Sequence, residues 1–134
     1  MIGKDQRTQM VRYWWSKAQE SLLSARREFE AGSYSFAMNR LYYAAFYAMC
    51  AVLLEREESL SKHSGVRAAF HRKFVKTGLL DTKWGRLYDQ LFEDRQEGDY
   101  VVFISFEHEY VEHQLRECSE FLDELGKLLA SLQD

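Results

Sequence analysis

The sequence predicts an all-α protein, an up-and-down bundle of four to five helices, and three observations carry that expectation. Proline is absent and glycine is scarce at seven of 134 residues, so little interrupts long helices or supplies the turns of a β fold. Apolar residues recur at intervals of three and four in several long stretches, the period of an amphipathic helix. In Ser35 to Leu54, SFAMNRLYYAAFYAMCAVLL, apolar or small residues point every way round the turn, so this helix is expected at the centre, wrapped by the others.

The remaining elements follow in order. From Arg7 to about Ala31 the positions Val11, Trp14, Trp15, Ala18, Leu22, Ala25 and Phe29 form one apolar stripe. Gly32 ends that helix and Ser33 is the expected cap of the next, which makes an αα-hairpin. In the central helix the alanines at 37, 44, 45, 48 and 51 allow close approach, and Phe36, Tyr42, Tyr43, Phe46, Tyr47 and Met49 fill the space between helices. Its uninterrupted apolar part, Leu41 to Leu54, falls short of the roughly 20 residues a bilayer needs, and no membrane segment is expected. The pair Asn39-Arg40 interrupts the apolar run, so the guanidinium must reach the rim or meet an acid. A solvated loop with serines at 59 and 61 precedes a third helix, Lys62 to Lys76, capped by Ser61 or Ser64. Asp81 caps a fourth, with Trp84, Leu87, Tyr88, Leu91 and Phe92 on one face. Gly98 is expected to break it, and Asp99 to Ile104 to lie against the core as an apolar connector. Ser105 caps a last helix to about Leu132, whose stripe of Val111, Leu115, Cys118, Leu122, Leu125, Leu129 and Leu132 makes a seam within the bundle or between two chains.

Residues 1–134 read as one domain, large enough to bury about two thirds of its unfolded surface without staples. Cys50 and Cys118 fall in apolar patterns and read as reduced core residues of a cytoplasmic protein. The formal net charge of −3 argues against a chain that coats nucleic acid indiscriminately. The charge is segregated, however. No acid occurs between Glu58 and Asp81, a span that holds Lys62, His63, Arg67, His71, Arg72, Lys73 and Lys76, whereas the last helix is rich in acids.

Two stretches carry candidate chemistry. Arg67 and His71 stand one helical turn apart beside Lys62 and His63, where backbone N–H groups add to the attraction for an anion. At the end of the fourth helix Arg95 stands near Tyr100, a bidentate phosphate donor beside a phenol able to donate or stack. The alternative is that Asp94 or Asp99 neutralises Arg95 and locks the connector. Glu109 and His113 share a helix face without further ligands and read as a surface pair, so neither a metal nor a cofactor is expected. Gly-rich phosphate-binding turns are absent.

The segments N-R-L-Y-Y-A-A-F at 39–46, K-H-S-G-V-R-A-A-F-H at 62–71, F-V-K-T-G-L-L-D at 74–81 and D-R-Q-E-G-D-Y at 94–100 resemble the HEPN domain family, in particular its small stand-alone prokaryotic branch. The resemblance covers almost the whole chain. It implies an up-and-down bundle paired as a homodimer and a minimal nucleotidyltransferase partner in a toxin–antitoxin pair. Many members are metal-independent ribonucleases marked by an arginine followed, after four to six residues, by a histidine. Here Arg95 matches the arginine, but the histidine positions hold Tyr100, Val101 and Val102. Tyrosine, with a pKa of about 10, is a poor base at neutral pH. In a related branch the partner enzyme modifies a tyrosine with a nucleotide, a role the resemblance offers for Tyr100.

The first reading is a module that binds nucleotide or RNA phosphate in a groove of Arg40, Lys62, His63, Arg67, His71 and Arg95 with Tyr100. The second is a ribonuclease toxin in which His63 or His71 supplies the missing histidine beside Arg95 and Tyr100. The third is a non-catalytic dimerisation protein whose arginines are spent on core acids.

Overall fold

Among the described residues five α-helices succeed one another: α1 (Lys4–Glu30), α2 (Tyr34–Glu55), α3 (His63–Phe70), α4 (Thr82–Tyr100) and α5 (His108–Lys127). The computed structural model describes residues 2–58 and 62–133, and among them there is no strand. The expected helical bundle is therefore the fold. The loop serines at 59 and 61, and with them the Ser61 cap, lie outside the described residues.

The hydrophobic α2 is the axis of the bundle and packs against each of the other four helices. Its five alanines are completely enclosed, which lets neighbouring backbones approach where larger side chains would hold them apart. Two details differ from expectation. Phe36 does not fill the interior; it is exposed, because it lies in the first turn of α2 on the outward side. The bilayer argument also changes: α2 has 22 residues and is long and apolar enough to span a membrane, but 72% of its most apolar stretch is buried inside the protein. Burial by the other helices, rather than length, accounts for its hydrophobicity.

α1 begins at Lys4, earlier than expected, and turns into α2 through Ala31, Gly32 and Ser33. Gly32 adopts φ +79, and the amides of Gly32 and Ser33 donate back to the carbonyls of Phe29 (3.0 Å) and Glu28 (2.8 Å), the paired bonds that close a helix on a left-handed residue. Ser33 stands at the cap position of α2, but its side chain makes no capping bond. The hairpin is tied again in the middle, where Ser21 Oγ donates to the Arg40 carbonyl at 2.7 Å.

α3 starts after Lys62 with Ser64 inside it, and at His71 the helix widens into a π segment, His71–Val75. Asp81 caps α4 as expected, its carboxylate accepting from the Lys83 amide at 2.9 Å. Gly98, however, does not break α4, which runs on to Tyr100. A glycine weakens a helix by only about 1 kcal/mol against alanine. Its use here is space, since a Cβ at Gly98 would stand 3.1 Å from the Phe106 ring. Because α4 continues, the apolar connector emerges beyond the end of the bundle. Val102 is 75% and Phe103 101% exposed, contrary to the expected packing on the core, and Phe106 packs there in their stead. Nor does Ser105 cap α5, whose cap position is Glu107.

α5 ends at Lys127, and a 3-10 turn, Ala130–Leu132, follows it. Val111, Cys118, Leu122, Leu125 and Leu129 are all buried within one chain, so the α5 stripe is a seam of the bundle. Burying each such leucine stabilises the fold by about 1.5–3 kcal/mol. The Glu55 carboxylate at the end of α2 accepts from the amides of Ala130 (2.8 Å) and Ser131 (2.6 Å), which pins the C-terminal turn.

Candidate functional site

On α2, Asn39, Tyr42, Tyr43 and Phe46 follow at intervals of three and one, which turns them toward the start of α3 and the end of α4. His63, the first residue of α3, lies on this surface: its ring is stacked on Phe46 with centroids 4.0 Å apart and planes 4° from parallel. Its Nδ1 is 2.7 Å from the Tyr42 hydroxyl, so Nε2 is the nitrogen left for other partners. Burial, and after it the nearby Arg95 charge, hold the His63 pKa below the ordinary imidazole value, leaving the ring neutral at pH 7. Burial likewise raises the pKa of Tyr42.

Arg95 reaches the same surface from α4, its guanidinium 5.6 Å from the Tyr42 ring centre, 5.3 Å from Tyr43 and 5.7 Å from Tyr100. One terminal nitrogen donates to the Tyr43 hydroxyl at 3.0 Å. Its Nε stands 3.2 Å from Asp99 Oδ2, close enough to pair in charge yet out of line for a hydrogen bond. The same Asp99 oxygen accepts from Asn39 Nδ2 at 2.9 Å, and Asn39 Oδ1 accepts from Arg40 at 2.6 Å. Arg40 thus reaches the rim and meets an amide, not an acid. The expected neutralisation of Arg95 is real, and Asp99 rather than Asp94 provides it. Asp94 is buried and accepts instead from Gln90 and Tyr110.

Four of the expected residues are therefore joined: Arg40, His63, Arg95 and Tyr100. Arg67 borders them, since its guanidinium lies 4.6 Å above Phe92 and Phe92 meets the Tyr42 ring edge-on at 5.7 Å. The anion site expected between Arg67 and His71 differs. Arg67 Nε (2.8 Å) and His71 Nε2 (2.9 Å) both contact Asp89 Oδ1, so the protein's own carboxylate stands where a phosphate was expected, and His71 is drawn off toward α4. Lys62 is exposed at the start of α3.

Asp89, Asn39 and the phenols of Tyr42 and Tyr43 were not read from the sequence as parts of a site. One signal was available. Asp89, Phe92, Arg95 and Asp99 recur at three, three and four along α4, which puts them on one face. That face meets α2 exactly where the polar Asn39 interrupts an otherwise apolar helix.

Among the described residues no group of three potential ligands can hold a metal, and no ion pair joins Glu109 to His113. Burial pushes the thiols of Cys50 and Cys118 up to about 12, and Cys118 Sγ donates to the Leu41 carbonyl at 3.6 Å. Cys118 is thus a buried core thiol and Cys50 a partly buried one packed against the core, and neither is a thiolate at neutral pH.

The HEPN domain family matches the chain over residues 11–128. A "UPF0332 protein" of Thermotoga maritima is 40% identical over 96% of this chain and 98% of its own length. Two Methanocaldococcus jannaschii proteins, named "Putative toxin MJ0142" and "Putative toxin MJ0605", are 35% and 32% identical over 86% of this chain, and over 78% and 85% of their own lengths.

Proposed function

We propose, since this chain belongs to the HEPN domain family, that it is a toxin-like module that binds the phosphate of a nucleotide or RNA at the meeting point of α2, α3 and α4. The observation that carries this reading is the convergence of His63 and Arg95, 32 positions apart in the sequence, on one Tyr42–Tyr43 surface. A guanidinium held on aromatic faces loses little freedom when it grips a phosphate in bidentate fashion. Arg40 at the border extends the positive surface, whereas Arg67 is held by Asp89. The names of the archaeal relatives support the toxin-like part of the reading.

The reading includes a homodimer and a nucleotidyltransferase partner. The exposed apolar run Tyr100 to Phe103 beside Arg95 supports an association surface at the edge of the site, since surface apolar residues in a contiguous run mark interaction sites.

The position of His63 favours a second reading, a metal-independent ribonuclease in which His63 takes the role of the missing histidine. With its proton on Nδ1 shared with Tyr42, neutral His63 presents Nε2 to the 2′-hydroxyl of a bound RNA. It removes that proton as the 2′-oxygen attacks the adjacent phosphorus. Arg95 stabilises the added negative charge, and the 5′-oxygen leaves with a proton from water, giving a 2′,3′-cyclic phosphate. His71 is not available for this role, because Asp89 engages its Nε2.

The test is equilibrium binding of ATP and of single-stranded RNA to the wild-type chain and to an Arg40→Gln, Arg95→Gln variant. The variant is expected to bind at least tenfold more weakly and with a shallower salt dependence, because phosphate contacts release counterions. Equal affinity in both proteins discards the site. RNA cleavage in EDTA that is lost in His63→Ala supports the ribonuclease, and no cleavage at high protein concentration removes it.

A further inference from the structure

An open groove of about 750 Å³ runs between α1 and α2, bounded by Lys17, Glu20 and Arg27 on one side and Arg40, Tyr43 and Tyr47 on the other. Its charge is lopsided, with three cations to one acid. Among the described residues Arg7, Arg67, Lys73, Arg95 and Lys127 each face a carboxylate, whereas no ion pair with an acid takes up Lys17, Arg27 or Arg40. Glu20 is the single acid on the groove wall. Three cations not neutralised by an acid along one groove make a local anion-attracting field in a chain of formal charge −3.

Aromatic rings are interleaved with these cations. Lys17 Nζ lies 5.7 Å from the Tyr13 ring centre and 5.2 Å from that of Tyr47, and Tyr13 is exposed. Tyr43 forms the junction with the site: it lines the groove and accepts the hydrogen bond from Arg95. From Lys17 to Arg27 the α1 wall rises about 15 Å at 1.5 Å per residue, the length of roughly four stacked nucleotides at 3.4 Å each.

We infer that this groove carries the backbone of single-stranded RNA to the Arg95 site, with Lys17, Arg27 and Arg40 on successive phosphates and Tyr13 available to a base. The inference rests on the phosphate-binding reading given above and extends it from one phosphate to a track. A single strand fits the arrangement better than a duplex, because exposed rings beside cations stack on unpaired bases. Lys17 and Arg27 are new to the site, and neither touches its reacting centre.

The experiment uses the full chain, a fluorescent 12-nucleotide oligouridylate, a 12-base-pair RNA duplex, ATP and a polyglutamate peptide, with Lys17→Gln, Arg27→Gln as the variant. Both changes are at the surface, and circular dichroism checks that the variant is folded. The expected result is about tenfold weaker oligouridylate binding in the variant and a salt slope shallower by about 1.4, from about 0.7 per lost contact, with ATP affinity unchanged. Oligouridylate is also expected to outbind the duplex. An unchanged oligouridylate affinity and slope, in a series where Arg95→Gln abolishes binding, overturns the track and leaves the Arg95 site standing. Wild-type protein that binds neither ATP nor oligouridylate overturns the underlying reading and the track with it. Polyglutamate that competes as well as oligouridylate, or a variant that changes oligomeric state in sedimentation, overturns the track in favour of a protein surface.

Discussion

The His63 imidazole lies flat against the Phe46 ring, centroids 4.0 Å apart and planes within 4°. The stacking fixes the ring while burial and Arg95 disfavour its charged form. Since the folded pKa lies below the unfolded value of about 6.5, the stabilising contribution of neutral His63 is present above that pH and is lost as pH falls through the folded value. His63→Phe keeps the stacked shape and removes the titration. The melting-temperature advantage of wild type over this variant is therefore expected to shrink between pH 7.5 and pH 5, as read by thermal denaturation across that range. A difference independent of pH contradicts a depressed His63 pKa.

Asp99 stands as an internal anion in front of Arg95 and Asn39. Asp99→Asn removes its charge and keeps its shape. Partly exposed ion pairs contribute at most about 1 kcal/mol, so ATP or RNA affinity is expected to rise about threefold to fivefold. Fluorescence anisotropy against salt concentration measures it, and an affinity that falls instead assigns Asp99 to ligand positioning.

Gly85 is a helical glycine with a buried reason. A Cβ there would stand 2.9 Å from His71 Cε1 and 3.3 Å from Val75, in the space that lets the imidazole reach Asp89. In an open helix Gly→Ala is stabilising by up to about 1 kcal/mol, but crowding of this kind destabilises by about 1–3 kcal/mol. Gly85→Ala is expected to lower the urea midpoint, with the steeper loss in the His71 resonance shifts. A raised midpoint refutes the close fit.

Phe103 is wholly exposed at φ +65, a backbone region that disfavours aromatic residues. Phe103→Gly relieves that conformation at no loss of core packing, so stability is expected to hold or rise by up to about 1 kcal/mol despite glycine's greater unfolded freedom. Sedimentation equilibrium of the same variant is expected to show weaker self-association. Unchanged association removes this loop from the dimer surface.

The periodicity of this chain is enough to specify its helices, the enclosed position of α2 and the inward face of α5, because amphipathicity repeats within a few residues and burial of the apolar face follows from it. It also marks Arg40, His63, Arg67 and Arg95 as the cations worth following. Which of them stay open to a ligand was decided only by tertiary structure. Asp89 lies 22 residues from Arg67 and 18 from His71, and its pairing with both depends on how α3 and α4 are rotated against each other. The meeting of His63 with Arg95 likewise depends on where α3 begins relative to α2. The connector after Tyr100 reads as core by composition and is exposed in fact, since burial requires a neighbour to cover a side chain, and α4 runs past the last helix able to do so.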